Sequence, residues 1–221
     1  MSGPAKAALY DGFAAVGKAL ANGRRAELVD VLAQGERSVE ALAAEVHQSV
    51  ANTSQHLQVL ARAGLVATRR DGNRVLYRLA SEAVGELWSA VRDVAAAHVA
   101  GIDRLAADHL GERSELEEIS RAELARRLGG GVVVWDVRPA PEYAAGHVPG
   151  AVSVPPGEVE RRIDEVPKRA EVVAYCRGPF CAFADDAVRR LRSSGRRASR
   201  LEDGFPEWRR AGLPVAVGSE R

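Results

Sequence analysis

The chain has 221 residues, 46% of them hydrophobic and 28% charged, with a formal net charge of +1; this excludes a disordered chain and gives no global signal for nucleic acid. No apolar run approaches the roughly 20 residues that span a bilayer, and the N-terminal stretch, interrupted by Lys6 and Asp11, lacks a signal-peptide core, so a cytoplasmic protein with no membrane partner is expected. Its two cysteines are too few for a disulfide framework and point instead to catalysis, metal binding or redox chemistry.

The first half reads as alanine- and leucine-rich helices. Residues 5–21 and 24–34 are amphipathic segments, the second ended by Gly35. Ser38 suits an N-cap for VEALAAEV, and Ser49 one for a helix from Val50 to about Ala63 that Gly64 terminates. The period then changes: LVATRR and RVLYRL are β-type runs joined by Asp71-Gly72-Asn73, a strong hairpin signal. From Ser81 to about Leu110 a single long helix is expected, because Leu87, Val91, Val94, His98, Ile102 and Leu105 recur at helical spacing. The polar stretch HLGERSELEE that follows suits a linker.

Helix, helix, turn, helix and hairpin is the order of a winged helix-turn-helix. Val50, Thr53, Leu57 and Leu60 share one face of the Ser49-capped helix, while Ala51, Asn52, Gln55, Gln58 and Arg62 lie away from it, as side chains reaching base edges should. Ser49 and the helix N-terminus suit phosphate contacts, and Arg69, Arg70, Arg74 and Arg78 decorate the hairpin where a wing would follow the DNA backbone. The alternative is a solvated polar face beside a solvated hairpin. The run SVANTSQHLQVLARAGLV (49–66), with Ser54 and His56 in its S-x-H-L core, and the basic hairpin after it resemble the ArsR/SmtB family of dimeric bacterial repressors. The resemblance implies that the first and last helices form a homodimer presenting two recognition helices to a pseudo-palindromic double-stranded operator. Metal-sensing members carry a Cys-x-Cys pair before the recognition helix. VEALAAEV has no thiol, and Asp93 and His98 on the last helix stand five apart, so no metal site is carried over.

The second half alternates strands and helices, which implies an α/β domain with a mainly parallel sheet. Ser120 and Glu123 make a capping box for RAELARRL, ended by a triple glycine; VVVWDV, AVSV and EVVAYC are short strands; ADDAVRRLRSSG is a helix; SRLEDGF is a weak strand or turn; PEWRRAG is a short helix.

Both cysteines sit in AYCRGPFC, with Cys176 at a strand end and Cys181 where a helix begins. The four residues between can curl so that successive backbone N–H groups point inward, which stabilises an anion and should lower the pKa of a thiolate at the centre; Arg177 adds positive charge. This suits a nucleophilic cysteine attacking sulfur or phosphorus. Asp136-Val137-Arg138, Glu142-Tyr143, GHVPGA (146–151), the strand into Cys-Arg-Gly and LEDGFPEW with GLPV (201–215) resemble, in that order, a single-domain rhodanese. The resemblance implies that Cys176 carries a sulfane sulfur as a persulfide, with Asp136, Arg138, Glu142 and His147 as supports. Related phosphatase and arsenate reductase loops place an arginine six after the cysteine, where this chain has Ala182. The residue that closes the loop, often basic or hydroxylic in rhodaneses, is here Cys181, within chain reach of a disulfide or a bridge with extra sulfurs. Zinc needs four ligands and only His147 offers a third, so no metal or cofactor is expected.

The expected architecture is thus an α+β winged helix-turn-helix domain (1–110), a linker (111–118) and an α/β rhodanese-like domain with a mainly parallel sheet (119–221). The expected function is a DNA-binding repressor whose rhodanese-like domain senses or transfers reactive sulfur from donors such as thiosulfate or persulfides, with Cys176, Arg177 and Cys181 in the chemistry. The rival expectation is a sulfurtransferase in which the winged helix only dimerises.

Overall fold

Helix starts in the first half follow their caps. In the computed structural model, which describes residues 3–218, α1 (Pro4–Leu20) opens with proline in its first turn, and α2 (Gly23–Ala33) is capped by Asn22, which accepts from the Arg24 and Arg25 N–H groups at 3.1 and 3.2 Å. α3 (Val39–Glu45) and α4 (Val50–Arg62) start at Ser38 and Ser49, whose hydroxyls accept from the N–H three residues on at 3.3 and 3.2 Å. His47 turns the chain between them with a left-handed φ of +51°. β2 (Val66–Asp71) and β3 (Arg74–Leu79) pair in the register Asp71 opposite Arg74, so Gly72-Asn73 is a two-residue turn, with Gly72 at φ +57°. A two-residue β1 (Arg37–Ser38), too short to be read from sequence, adds to the far side of β3. Leu28, Leu32, Leu42, Val46, Leu57 and Leu60 form the centre of the core that these elements enclose.

The expected single helix over 81–110 is two: α5 (Glu82–His98) and α6 (Ile102–Leu110). Gly101, at φ +88°, precedes α6 and breaks the run. The apolar spacing continues straight through the break, so periodicity could not detect it. The chain divides into two compact units inside α5, residues 1–94 and 95–221.

The second unit continues with β4 (Glu118–Ile119), α7 (Arg121–Arg127), β5 (Val132–Asp136), α8 (Ala140–Ala145), β6 (Val152–Ser153), a 3-10 turn (Pro156–Glu158) and α9 (Val159–Ile163). It is completed by β7 (Glu171–Cys176), α10 (Phe183–Ser193), β8 (Arg197–Gly204) and α11 (Phe205–Arg210). The five strands lie in the order β4-β8-β7-β5-β6 with every pairing parallel. β7 is buried on both faces, as a central parallel strand requires: Val172, Ala174 and Cys176 pack in one core with Ala184, Val188 and Leu191, while Val173 and Tyr175 pack in the other with Phe205 and Trp208.

β8, expected as a weak strand or turn, is eight residues long and pairs with β7 and β4. Its polar Ser199 and Arg200 are buried, Arg200 against Glu118 at 2.5 Å, so its composition concealed its position. The stretch 111–118, expected as a linker, is bound along its length: Arg189 donates to the carbonyls of Leu110 and Glu112 at 2.9 Å each, Arg192 to Glu115, and the Arg200 N–H to Glu117 at 2.9 Å.

Candidate functional site

The surface around α4 comes first in the chain. Thr53, Leu57 and Leu60 are fully buried, which turns the opposite face outward. Ser49, Gln55, Gln58 and Arg62 are exposed, and Asn52, Ser54 and His56 half-buried. Asn52 donates to Gln48 at 2.7 Å, which fixes its amide at the start of α4. Val50, expected on the packing face, is 45% exposed: it is the first residue of the helix, where the chain has not yet reached the core. On the hairpin, Arg70 and Arg74 are exposed beside the turn. Arg69, grouped with them from sequence, instead clasps Glu36, with Nε at 2.8 and 3.0 Å from its two oxygens. That hydrogen bond, and then the Arg69 charge, hold the Glu36 carboxyl below its ordinary value.

The cysteine loop is built by β7 and α10. Cys176, last residue of β7, is 3% exposed; Cys181, just before α10, is half-buried, and both are free thiols. The Cys176 S–H lies 3.3 Å from the Cys181 carbonyl and 3.7 Å from that of Gly178, and the two thiols hydrogen-bond each other. Backbone N–H groups of Gly178 and Ala184 face the Cys176 sulfur, and those of Phe183 and Arg177 face the Cys181 sulfur. The cradle therefore surrounds a pair of sulfurs. Burial, reinforced by the adjacent Cys181, pushes the Cys176 thiol well above its ordinary range. Cys181 is drawn below it, first by the Cys176 hydrogen bond and then, against its own burial, by the N–H groups and the Arg177 charge. The lowered pKa expected at Cys176 thus falls on its neighbour Cys181, the less buried of the two sulfurs.

Arg177 points away from the loop centre. Its guanidinium takes the buried Glu142 carboxylate through Nη2 at 2.5 Å and Nε at 3.0 Å, and lies over the Phe183 ring at 5.6 Å. Beneath the loop, the Arg138 side chain is fully buried against Asp136, with Nε 2.9 Å from Oδ1, and Nη2 donates to the Gly146 carbonyl at 2.7 Å. The Tyr175 hydroxyl donates to Asp136 at 2.6 Å and accepts from the Val148 N–H at 3.1 Å, tying β5, β7 and the loop before β6 into one post. His147 stacks on Tyr143 at 3.7 Å, its Nδ1 2.9 Å from the Tyr143 carbonyl.

Residues 22–68 match the arsR family of bacterial regulatory proteins, and residues 120–211 match the rhodanese-like domain. Over 215 residues the chain is 50% identical to an HTH-type transcriptional regulator of Mycobacterium tuberculosis, a match covering 97% of this chain and 94% of that relative. The chain belongs to the ArsR family. It is a transcriptional regulator that carries a rhodanese-like domain after its winged helix. It is also 32% identical over 104 residues, 46% of this chain, to a sulfurtransferase of Allochromatium vinosum, 96% of which is covered. A homodimeric winged helix-turn-helix DNA-binding domain of Mycobacterium bovis, known from its solution structure, is 48% identical over 45% of this chain and 92% of its own, with a TM-score of 0.43.

Within this ArsR-family chain, three residues that shape the cysteine loop escaped the sequence reading. Gly204, at the end of β8, approaches the loop so closely that a Cβ there would lie 2.2 Å from the Gly178 nitrogen. The LEDGFPEW motif held the signal, but not what the glycine meets. Arg113 donates to the Pro179 carbonyl at 2.8 Å and to Asp185 at 2.5 Å, although it is 66 residues from the loop. Asp185 is fully buried between Arg113 and Arg200. Nothing in a polar stretch and an ordinary helix start announced either contact.

Proposed function

We propose that this regulator is a homodimeric repressor that binds a pseudo-palindromic operator through α4 and the β2–β3 hairpin, and that its rhodanese-like domain responds to sulfane sulfur through Cys176 and Cys181. The observation that carries the reading is the hydrogen-bonded thiol pair inside one cradle of backbone N–H groups. Cys181 in its thiolate form, the form its surroundings favour, takes the Cys176 proton as Cys176 attacks the outer sulfur of thiosulfate. The sulfur–sulfur bond of the donor breaks, sulfite leaves with its electron pair, and Cys176 becomes a persulfide anion beside a neutral Cys181 thiol. Cys181 then attacks the Cys176 sulfur, hydrosulfide leaves, and a Cys176–Cys181 disulfide remains. The donor is the oxidant in this sequence, so no other is needed. Each sulfur state carries a different charge and loop shape, which can alter DNA affinity only by favouring one dimer geometry.

On the winged helix, Asn52, Ser54, Gln55, His56, Gln58 and Arg62 are the side chains offered to base edges, with Ser49, Arg70 and Arg74 toward phosphates. Arg69 enters through its pairing with Glu36, as a support of the wing. Dimerisation through α1 and α5 accounts for the exposed Leu9, Tyr10, Phe13, Val91 and Val94.

The test is operator binding by the wild type, Cys176→Ser and Cys181→Ser, with and without thiosulfate or polysulfide, alongside intact mass. The expected result is sulfur gain in the wild type and in Cys181→Ser, none in Cys176→Ser, and a change in operator affinity confined to the wild type. Sulfur gain with flat affinity in every variant defeats the sensing reading, and steady transfer to cyanide under those conditions would favour a sulfurtransferase instead.

A further inference from the structure

Residues 111–116 lead from α6 to β4 and lie along α10, the helix that begins at the cysteine loop. Arg113 spans both: Nη1 donates to the Pro179 carbonyl, between the two cysteines, and Nε pairs with Asp185, third residue of α10. Arg189 and Arg192, farther along α10, hold the backbone on either side of it through Leu110, Glu112 and Glu115. Gly111 makes the turn out of α6 at φ +71°, where a Cβ would lie 3.5 Å from the Arg189 guanidinium. Beside these contacts a groove of about 420 Å³, lined by Ala107, Leu110, Glu112, Arg113 and Phe180, leaves space next to the loop.

We propose that Arg113 is the positioning residue through which the sulfur state of the cysteine loop reaches α6 and, along the chain, α5. The proposal rests on the sulfur-responsive reading above. Bridging Cys176 to Cys181 pulls the loop ends together and obliges the residues between them to move, with the groove beside Phe180 as the available space. The Pro179 carbonyl moves with them, and a hydrogen bond at 2.8 Å weakens steeply once its length or angle departs from the favoured range. Arg113 stays with the fully buried Asp185, because its 2.5 Å contact is the close one, Arg200 standing 3.5 Å away, and weakening a buried pair is the costlier alternative. The segment thus has one anchor in the dithiol loop that it lacks in the bridged loop, the differential contact a switch needs.

The test uses the full chain and two loop-bridging treatments, thiosulfate as sulfane donor and diamide as direct dithiol oxidant, with hydrogen exchange over residues 102–116 and operator affinity as readouts. Bridging should speed exchange in that segment by about fivefold or more in the wild type and leave Cys181→Ser unchanged. In Arg113→Gln the cysteines should still react to the same extent by intact mass, with exchange over 102–116 already fast and unresponsive. Arg113→Lys retains a charge opposite Asp185 but cannot span both partners, so it should keep the wild-type unfolding midpoint and still lose the response. In both variants the treated-to-untreated ratio of operator Kd should fall to within about twofold of one. Unchanged exchange over 102–116 in a wild type that mass shows to be bridged overturns the proposal, as does a wild-type response in Arg113→Gln. If exchange responds while operator affinity stays flat, the sensing reading fails and the Arg113 connection stands.

Discussion

Two thiols that hydrogen-bond each other behave differently from two independent ones. The Cys181 pKa is lowered first of all by the hydrogen bond from Cys176, so removing that donor should undo the effect. In Cys176→Ala, the pH at which Cys181 is alkylated by iodoacetamide, followed by intact mass, should move upward relative to the wild type. In Cys181→Ser the remaining Cys176 stays buried, so its alkylation should begin only at higher pH than that of an exposed thiol. The sign is fixed by which form each environment favours: donors and positive charge favour the anion, while burial favours the neutral thiol. Gly204 governs the same loop through space. Gly204→Ala forces a Cβ into the Gly178 backbone and should destabilise the full chain by about 1–3 kcal/mol, with slower sulfur gain from thiosulfate. Denaturant unfolding and time-resolved mass measure the two effects; a neutral substitution would show that the approach is loose.

At the scale of elements, the proposed DNA interface assigns different contacts to α4 and to the hairpin. The outward face of α4 presents short polar side chains suited to reading bases, whereas Arg70 and Arg74 flank an exposed two-residue turn and suit phosphates. Substituting Arg70 or Arg74 by alanine should weaken binding to operator and to unrelated DNA alike and lower the salt slope of log K by about one each. Gln55→Ala and Gln58→Ala should instead reduce the preference for operator with little change in salt slope. Fluorescence titrations at several salt concentrations separate the two. A salt slope untouched by Arg70→Ala would remove the wing from the interface. In the second unit, the fully buried Asp136–Arg138 pair, with Tyr175, joins β5 to β7, the strand at whose end Cys176 sits.

At the scale of the molecule, the start of α1 leaves its large apolar side chains uncovered among the described residues, although Val16, Ala19 and Leu20 near its end join the core: Leu9, Tyr10 and Phe13 stand exposed, Phe13 about one helical turn beyond the other two. Phe13→Glu should convert a dimer to a monomer in sedimentation equilibrium and weaken operator binding, because two half-sites are then held by separate binding events. A Phe13→Glu protein that remains dimeric would place the interface elsewhere.

Much of this was legible in the chain. Ser38, Ser49 and Ser120 marked helix starts, Asp71-Gly72-Asn73 the hairpin, and EVVAYC the central strand, because capping, turn chemistry and burial on both faces are local physics written in a few adjacent residues. The two cysteines and their loop were found by the same means. What the sequence could not carry was any pairing between distant polar residues. That Arg69 clasps Glu36, that Arg113 reaches Pro179 and Asp185, that β8 is a long interior strand despite its charges, and that the lowered thiol is Cys181, all depend on which groups the fold brings within hydrogen-bond range. Pattern along the chain marked the winged helix, the rhodanese-like half and the two thiols. Proximity across it, which no spacing encodes, decided which thiol is the more acidic and what holds the loop that carries both.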